Sequence, residues 1–141
     1  MGRILALDYG TKRVGVAVTD PLQILANGLT TIPTNDIWKF LEEYFKKETV
    51  DCLVIGYPIQ TTGVGSDSLR VINPFIKKFL KVFPNIPINQ ADERYTSKMA
   101  HQAMIDGGLK KKDRQNKALV DTISATIILQ GFLETRKNSL R

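Results

Sequence analysis

The chain has a single cysteine, Cys52, among its 141 residues. A lone thiol can form neither an intrachain disulfide nor a thiolate cluster for zinc. Its apolar neighbours, residues 53–55, are typical of a position in a protein core. The sequence therefore predicts a protein of a reducing compartment that folds without disulfides.

Histidine is equally scarce. The one histidine, His101, falls in a predicted helix over residues 98–104, and no serine or cysteine nucleophile signature accompanies it. A nucleophile needs a neighbouring base to activate it, so the sequence gives no support to a Ser-His or Cys-His hydrolase. We interpret His101 as structural or exposed.

The chain also lacks a long apolar run near its first residues. Only residues 4–7 are continuously apolar between Arg3 and Asp8. Four residues are too few for a signal-peptide core or a membrane span. We expect a cytoplasmic protein with no membrane partner.

Nucleotide-binding signatures are incomplete. Gly10 and Gly15 have the spacing of a P-loop, but Val16 stands where the lysine is needed. Residues 63–68 lack the third glycine of a dinucleotide fingerprint. Actin-like ATPases and sugar kinases also have a phosphate loop with the Asp-x-Gly pattern. Those enzymes close two domains over a nucleotide, and this chain has room for only one domain.

Charge and apolar periodicity indicate one basic α/β domain over residues 1–141. Lys and Arg total 20 against 14 Asp and Glu, a net charge of +6 that favours an anionic partner, nucleic acid above all. Apolar alternation, continuous apolar runs and helical spacing predict a mixed sheet flanked by helices. The predicted strands cover residues 4–7, 14–18, 28–33, 51–55 and 86–91, and the predicted helices cover 37–47 (capped by Asn35 or Asp36), 69–83, 98–104 (capped by Thr96 or Ser97) and 118–133.

Two carboxylates interrupt apolar segments. Asp8 ends the first predicted strand, and Asp121 interrupts the most apolar helix, on the helical face of Ala125, Ile128 and Phe132. An ionised carboxylate without a partner is costly to bury, so such a residue usually accepts strong hydrogen bonds, pairs with a cation or binds a metal. For Asp121 the alternative is an acid near a helix start, favoured by the macrodipole.

Glu93 is a third candidate, in a turn after the fifth strand. By itself it fits a solvated loop acid between Asp92 and Arg94. Three carboxylates from separate elements, converging in one pocket, would form an oxygen-rich site for Mg²⁺ or Mn²⁺. Such a site could activate a water for phosphodiester hydrolysis, with two ions about 3.5–4 Å apart if two bind.

Basic residues lie near these acids in sequence. Lys12, Arg13 and Arg94 could bind phosphates, Arg94 above all, because a guanidinium can grip two phosphate oxygens at once. A second basic group precedes the last helix and is suited to a nucleic-acid backbone or to a solvated loop. It consists of Lys110, Lys111, Lys112, Arg114 and Lys117.

With these residues in view, the chain resembles the YqgF family, also called RuvX, which stands beside the RuvC-type Holliday junction resolvases. The resemblance covers nearly all 141 residues and depends on four ordered motifs. These are residues 7–17 (LDYGTKRVGVA) with Asp20, residues 56–58 (GYP) in a loop ending at Gly63, residues 92–97 (DERYTS) and residues 120–133 (VDTISATIILQGFL).

The resemblance implies an RNase H-like fold with sheet order 3-2-1-4-5 and strand 2 antiparallel. It carries metal-binding and catalytic roles onto Asp8, Glu93 and Asp121, while sequence leaves open whether Asp92 or Glu93 is the ligand. RNase H-like nucleases usually take a carboxylate from the strand beside strand 1, but residues 56–58 offer none. The usual acid before Gly63 is also absent, since Thr62 stands there, and the role of the loop over residues 60–66 stays open.

The implied activity is metal-dependent phosphodiester hydrolysis on structured RNA, at the 5′ end of the 16S ribosomal RNA precursor, by a monomer or homodimer. A Holliday junction resolvase is the alternative enzyme. A nucleic-acid-binding module without catalysis is the alternative of a different class.

Overall fold

A five-stranded mixed sheet forms the centre of the computed structural model, which describes residues 2–57, 66–92, 102–103, 107 and 116–139. Its order is β3-β2-β1-β4-β5; β2 is antiparallel to both its neighbours, whereas β1, β4 and β5 are parallel. This confirms the predicted fold class and strand order. The strands are β1 (Arg3–Tyr9), β2 (Arg13–Thr19), β3 (Ala26–Pro33), β4 (Val50–Tyr57) and β5 (Ile88–Asp92), and the helices are α1 (Ile37–Lys47), α2 (Ser66–Val82) and α3 (Lys117–Ser139).

Strand alternation divides the core between the two faces of the sheet. Leu5 and Leu7 of β1 belong to a cluster that packs against α1 and α2. Ile4 and Ala6 belong to a second cluster, which includes Ala125 of α3. Successive side chains of a strand point to opposite faces, so even-numbered β1 residues face α3 and odd-numbered ones face α1 and α2.

Several element boundaries differ from the sequence prediction. A short 3-10 helix, Thr34–Asp36, precedes α1, and the Asp36 side chain makes no capping hydrogen bond. Asp36 is thus the N-cap residue of α1 by position, as predicted, but without the side-chain hydrogen bond of a typical cap. The fifth strand starts at Ile88 rather than residue 86, because Pro87 has no N–H to donate to the ladder. The Pro87 carbonyl still accepts the Leu53 N–H at 2.9 Å.

Helix α3 is longer than predicted. Asn116 caps it, and its Oδ1 accepts the N–H groups of Ala118 and Leu119 at 3.1 and 3.2 Å. By length and composition alone the segment Lys117–Arg136 could cross a membrane. Ala125, with Leu129 one turn further along, is nevertheless buried on the sheet, as expected of the core helix of a globular domain.

Two predicted packing residues behave as expected. Trp38 stacks on Phe75 with ring centroids 5.1 Å apart, so it is a core aromatic of the α1 and α2 face. Cys52 is a half-buried thiol, and this burial raises its pKa. His101 and most of the predicted helix over residues 98–104 lie outside the described residues.

Candidate active site

One edge of the sheet gathers the predicted acids that the structure describes. Strands β1, β4 and β5 run in the same direction and end at this edge, and the antiparallel β2 begins there. The connection between β1 and β2 is tight, with the Gly10 N–H donating to the Arg13 carbonyl at 2.9 Å. Thr34 fastens this turn by donating its hydroxyl to the Gly10 carbonyl at 2.8 Å.

Asp8 lies on the α3 face of this edge. It follows Ile4 and Ala6 at the two-residue period of a strand, and both belong to the cluster beneath α3. In the antiparallel ladder Asp8 stands opposite Gly15 of β2. Asp8 is half-buried. The carboxylate that interrupts an apolar segment in the sequence therefore lies at the boundary of the core.

Gly15 is the point where α3 meets the sheet. A Cβ at this position would overlap the backbone carbonyl of Asp121. Gly28 of β3 plays a similar part, because its Cβ would lie 2.8 Å from the Thr122 side chain. These two glycines let the first turns of α3 lie directly on β2 and β3.

The same contacts relate Asp8 and Asp121 through Gly15. Asp8 faces Gly15 in the ladder, and Gly15 contacts the Asp121 backbone. The start of α3 is also fixed to β3, since the Thr31 hydroxyl donates to the Ala118 carbonyl at 2.6 Å. Two acids more than 100 residues apart in sequence thus share one face and one edge of the sheet.

Asp121 forms an ion pair with Arg13. The Arg13 Nε donates to Asp121 Oδ2 at 2.7 Å, and the two side chains are 37% and 21% exposed. Arg13 lies on the same face as Gly15, two residues before it on β2. Sequence reasoning assigned Arg13 to phosphate and missed this pairing, because nothing in a sequence connects residues 108 positions apart.

Strand β4, which lies beside β1, contributes no carboxylate to this edge. Leu7 pairs with Ile55 of β4, so the residue that follows beside Asp8 is Gly56. Tyr57 comes next and donates its hydroxyl to Asn73 Oδ1 at 3.1 Å. The structure thus agrees with the departure noted from the RNase H-like pattern.

The other predicted site residues fall into two groups. Lys12, in the turn, and Lys117, the first residue of α3, are exposed near the acids. β5 reaches the same edge and ends at Asp92. Glu93, Arg94, Lys110, Lys111, Lys112, Arg114 and residues 60–65 of the loop lie outside the described residues.

The donor set at this edge fits a hard divalent ion. Asp8 and Asp121 offer carboxylate oxygens, the ligands that Mg²⁺ and Mn²⁺ prefer. Within residues 2–57, 66–92 and 116–139, no three acidic, histidine or cysteine side chains form a group that could hold a metal ion. Glu93, the third predicted ligand, lies outside the described residues.

Asp20, a member of the first motif, lies at the opposite end of β2. Its carboxylate accepts the backbone N–H groups of Ile24 and Leu25 at 2.9 and 2.8 Å, and that of Leu22 at 3.1 Å. These hydrogen bonds, the one from Leu25 foremost, lower the pKa of Asp20. Asp20 organises the loop between β2 and β3 and takes no part in the site.

Comparison with known proteins identifies relatives along nearly the whole chain. A family model described as RuvX, Holliday junction resolvase, matches residues 2–135. A protein of Phocaeicola vulgatus is 59% identical over 137 residues, covering 97% of this chain and 99% of the relative. One of Parabacteroides distasonis is 48% identical over 140 residues, covering 99% and 100%. Both relatives carry the provisional name of pre-16S rRNA nuclease.

Two solved structures share the fold. The RuvC of T. thermophilus in complex with a Holliday junction substrate aligns with a TM-score of 0.57 at 14% identity, covering 99% of this chain and 98% of that one. The Fowlpox virus resolvase, in complex with Holliday junction DNA, aligns with a TM-score of 0.60 at 15% identity, covering 95% and 98%. At such identities the likeness concerns the fold.

Proposed function

The chain belongs to the RuvX family of nucleic-acid-cleaving enzymes, and we propose that it is a divalent-metal-dependent nuclease that acts on the precursor of 16S ribosomal RNA. The observation that carries this proposal is that Gly15 stands opposite Asp8 in the ladder and also lies against the backbone of Asp121. Two partly buried carboxylates on one sheet edge, in a chain of net charge +6, suit the hydrolysis of a polyanion better than any other chemistry the chain offers.

In this proposal Asp8, Asp121 and Glu93 hold Mg²⁺ or Mn²⁺. When bound, the metal supplies Lewis acidity toward the scissile phosphate and an activated water. The chain's own residues orient the ligands: the β1–β2 ladder holds Asp8, and the contact of Gly15 with α3 holds Asp121. Lys12 and Lys117, both exposed beside the acids, attract the RNA backbone.

We assign the third ligand to Glu93 rather than Asp92. The likeness of residues 92–97 (DERYTS) to the family pattern carries the metal-binding role onto Glu93 and supports this assignment. The matched pair of variants is Glu93→Gln and Asp92→Asn: we expect the first to lose metal-dependent cleavage and the second to retain most of it. The opposite result would make Asp92 the ligand.

The substrate is tested by direct comparison. Purified protein with Mg²⁺ or Mn²⁺ is given a structured RNA spanning the 5′ end of the 16S precursor and, in parallel, a four-way DNA junction. We expect cleavage of the RNA and little or none of the junction. Preferential cutting of the junction would make the chain a resolvase, the activity in its family's description. Salt-sensitive RNA binding without cleavage, unaffected by loss of the acids, would make it a binding module.

The proposed substrate also implies a place in the cell. We propose that the protein works in the cytoplasm, where bacterial ribosomal RNA precursors are processed. Its net charge of +6 would then favour electrostatic capture of RNA.

A further inference from the structure

The carboxylate of Asp121 already has a cationic partner. Arg13 Nε lies 2.7 Å from Asp121 Oδ2, within the range of a strong charge-assisted hydrogen bond. Both side chains are partly exposed, at 37% and 21%. The carboxylate proposed as a metal ligand is therefore neutralised by the protein itself.

The backbone of Arg13 is fixed independently of its side chain. It pairs with Pro33 in the β2–β3 ladder, and its carbonyl accepts the Gly10 N–H. The side chain is long and reaches solvent, so its guanidinium can change partner without any movement of the strand. The bond to Asp121 uses Nε, while a guanidinium has five N–H groups in total and can bind a phosphate bidentately.

A divalent ion and a guanidinium compete for the same charge. Each is attracted by the Asp121 carboxylate, and each repels the other when both lie beside it. A phosphate group close to the site would offer the displaced guanidinium a new anionic partner. Arg13 would then have two anionic partners to choose from, the Asp121 carboxylate and a phosphate of the bound nucleic acid.

We propose that Arg13 is an exchangeable counterion, a positioning residue that neutralises Asp121 until a divalent ion binds and then moves to a phosphate of the bound nucleic acid. This inference rests on the proposed function. It has a specific consequence: metal binding should strengthen nucleic-acid binding through Arg13, and by thermodynamic reciprocity nucleic acid should strengthen metal binding by the same factor.

Metal affinity without nucleic acid separates this role from simple phosphate binding. Free Mn²⁺ is titrated into the full chain and measured by electron paramagnetic resonance for the wild type, Arg13→Gln and Lys12→Gln. We expect Arg13→Gln to bind Mn²⁺ about three- to tenfold more tightly, because its competitor is gone. Lys12→Gln removes an equal charge from the adjacent exposed position and should change the affinity by less than about twofold. Unchanged or weaker Mn²⁺ binding by Arg13→Gln, or an equal gain in Lys12→Gln, would overturn the proposal.

A second measurement is made on the wild-type protein, and a variant serves only to assign the signal. The Nε–H signal of Arg13 in a ¹H–¹⁵N spectrum of the wild type, assigned from its loss in Arg13→Lys, is followed as Mg²⁺ is added. We expect the signal to move toward the position of a solvated arginine at saturation, and a signal that does not move would contradict exchange. A wild type that binds no Mn²⁺ would refute the proposed metal-dependent nuclease as well. Metal binding and RNA cleavage with a static Arg13 signal would refute the exchange alone.

Discussion

Gly15 of β2 lies so close to Asp121 of α3 that a single added carbon would overlap the Asp121 carbonyl. Because Asp8 stands opposite Gly15 in the ladder, this contact sets the separation of the two acids. Gly15→Ala should push α3 from the sheet, lowering the free energy of unfolding by about 1–3 kcal/mol and reducing cleavage more than tenfold.

The control for this variant is Gly131→Ala on the same helix. A Cβ there meets nothing within 4 Å, so alanine should improve helix propensity and stabilise the protein by up to about 1 kcal/mol. Urea unfolding and RNA cleavage of both variants provide the measurement. Equal stability and activity in Gly15→Ala and the wild type would show that the contact does not position Asp121.

The buried hydroxyl of Ser124 gives an independent test of the packing beneath α3. Ser124 is 1% exposed, and in the described part of the chain its Oγ has no hydrogen-bond partner. Ser124→Ala removes a polar group that loses hydration on folding, so we expect a gain of about 0.5–2 kcal/mol in the free energy of unfolding.

The matched control is another buried hydroxyl, that of Thr19. Its Oγ1 accepts the Ile4 N–H at 2.9 Å and donates to the Asp20 carbonyl at 2.9 Å. Thr19→Val should therefore destabilise the protein by about 1–3 kcal/mol, opposite in sign to Ser124→Ala. Two losses of similar size in urea unfolding would mean that the Ser124 hydroxyl is satisfied in solution.

Asp20 should make stability depend on pH at the end of β2 away from the site. Backbone hydrogen bonds lower its pKa in the folded state, so its contribution is present above the pKa of the unfolded state and is lost as the pH falls through the folded value. We expect Asp20→Asn to melt below the wild type at neutral pH, with a difference that shrinks as the pH falls below about 3.8, the ordinary pKa of the group.

Asp36→Asn is the control, because the Asp36 side chain makes no capping hydrogen bond. Its melting temperature should stay close to that of the wild type across the same range. Thermal melts recorded by circular dichroism decide the matter. If the melting temperature of Asp20→Asn stays equally far below that of the wild type at pH 2, the effect comes from the changed shape of the side chain rather than from its charge.

The candidate site was predicted from residues that conflict with their local pattern. Asp8 and Asp121 each interrupt an apolar segment, and that conflict is visible without a structure. The sheet order followed from a family resemblance, and the structure confirms it. Periodicity reveals Asp8 and Asp121 because it indicates which face of a strand or helix is buried.

What the sequence could not supply depends on contacts between distant elements. From the sequence alone Gly15 is consistent with any position in a strand. Its role is visible only in the structure, where α3 packs on it. The Arg13–Asp121 pair joins residues 108 positions apart, and neither residue signals the other. Asp20 belongs to the same motif as Asp8, yet it organises a loop at the far end of β2.

The central claim is that the sheet edge holding Asp8 and Asp121 binds the divalent metal. An anomalous difference map from a crystal soaked in Mn²⁺ tests it most directly, with an Asp8→Asn crystal soaked in parallel. We expect a manganese peak within coordination distance, about 2.0–2.3 Å, of carboxylate oxygens of Asp8 and Asp121, and its loss or weakening in Asp8→Asn. A peak at another site, or an equal peak in the variant, would contradict the account.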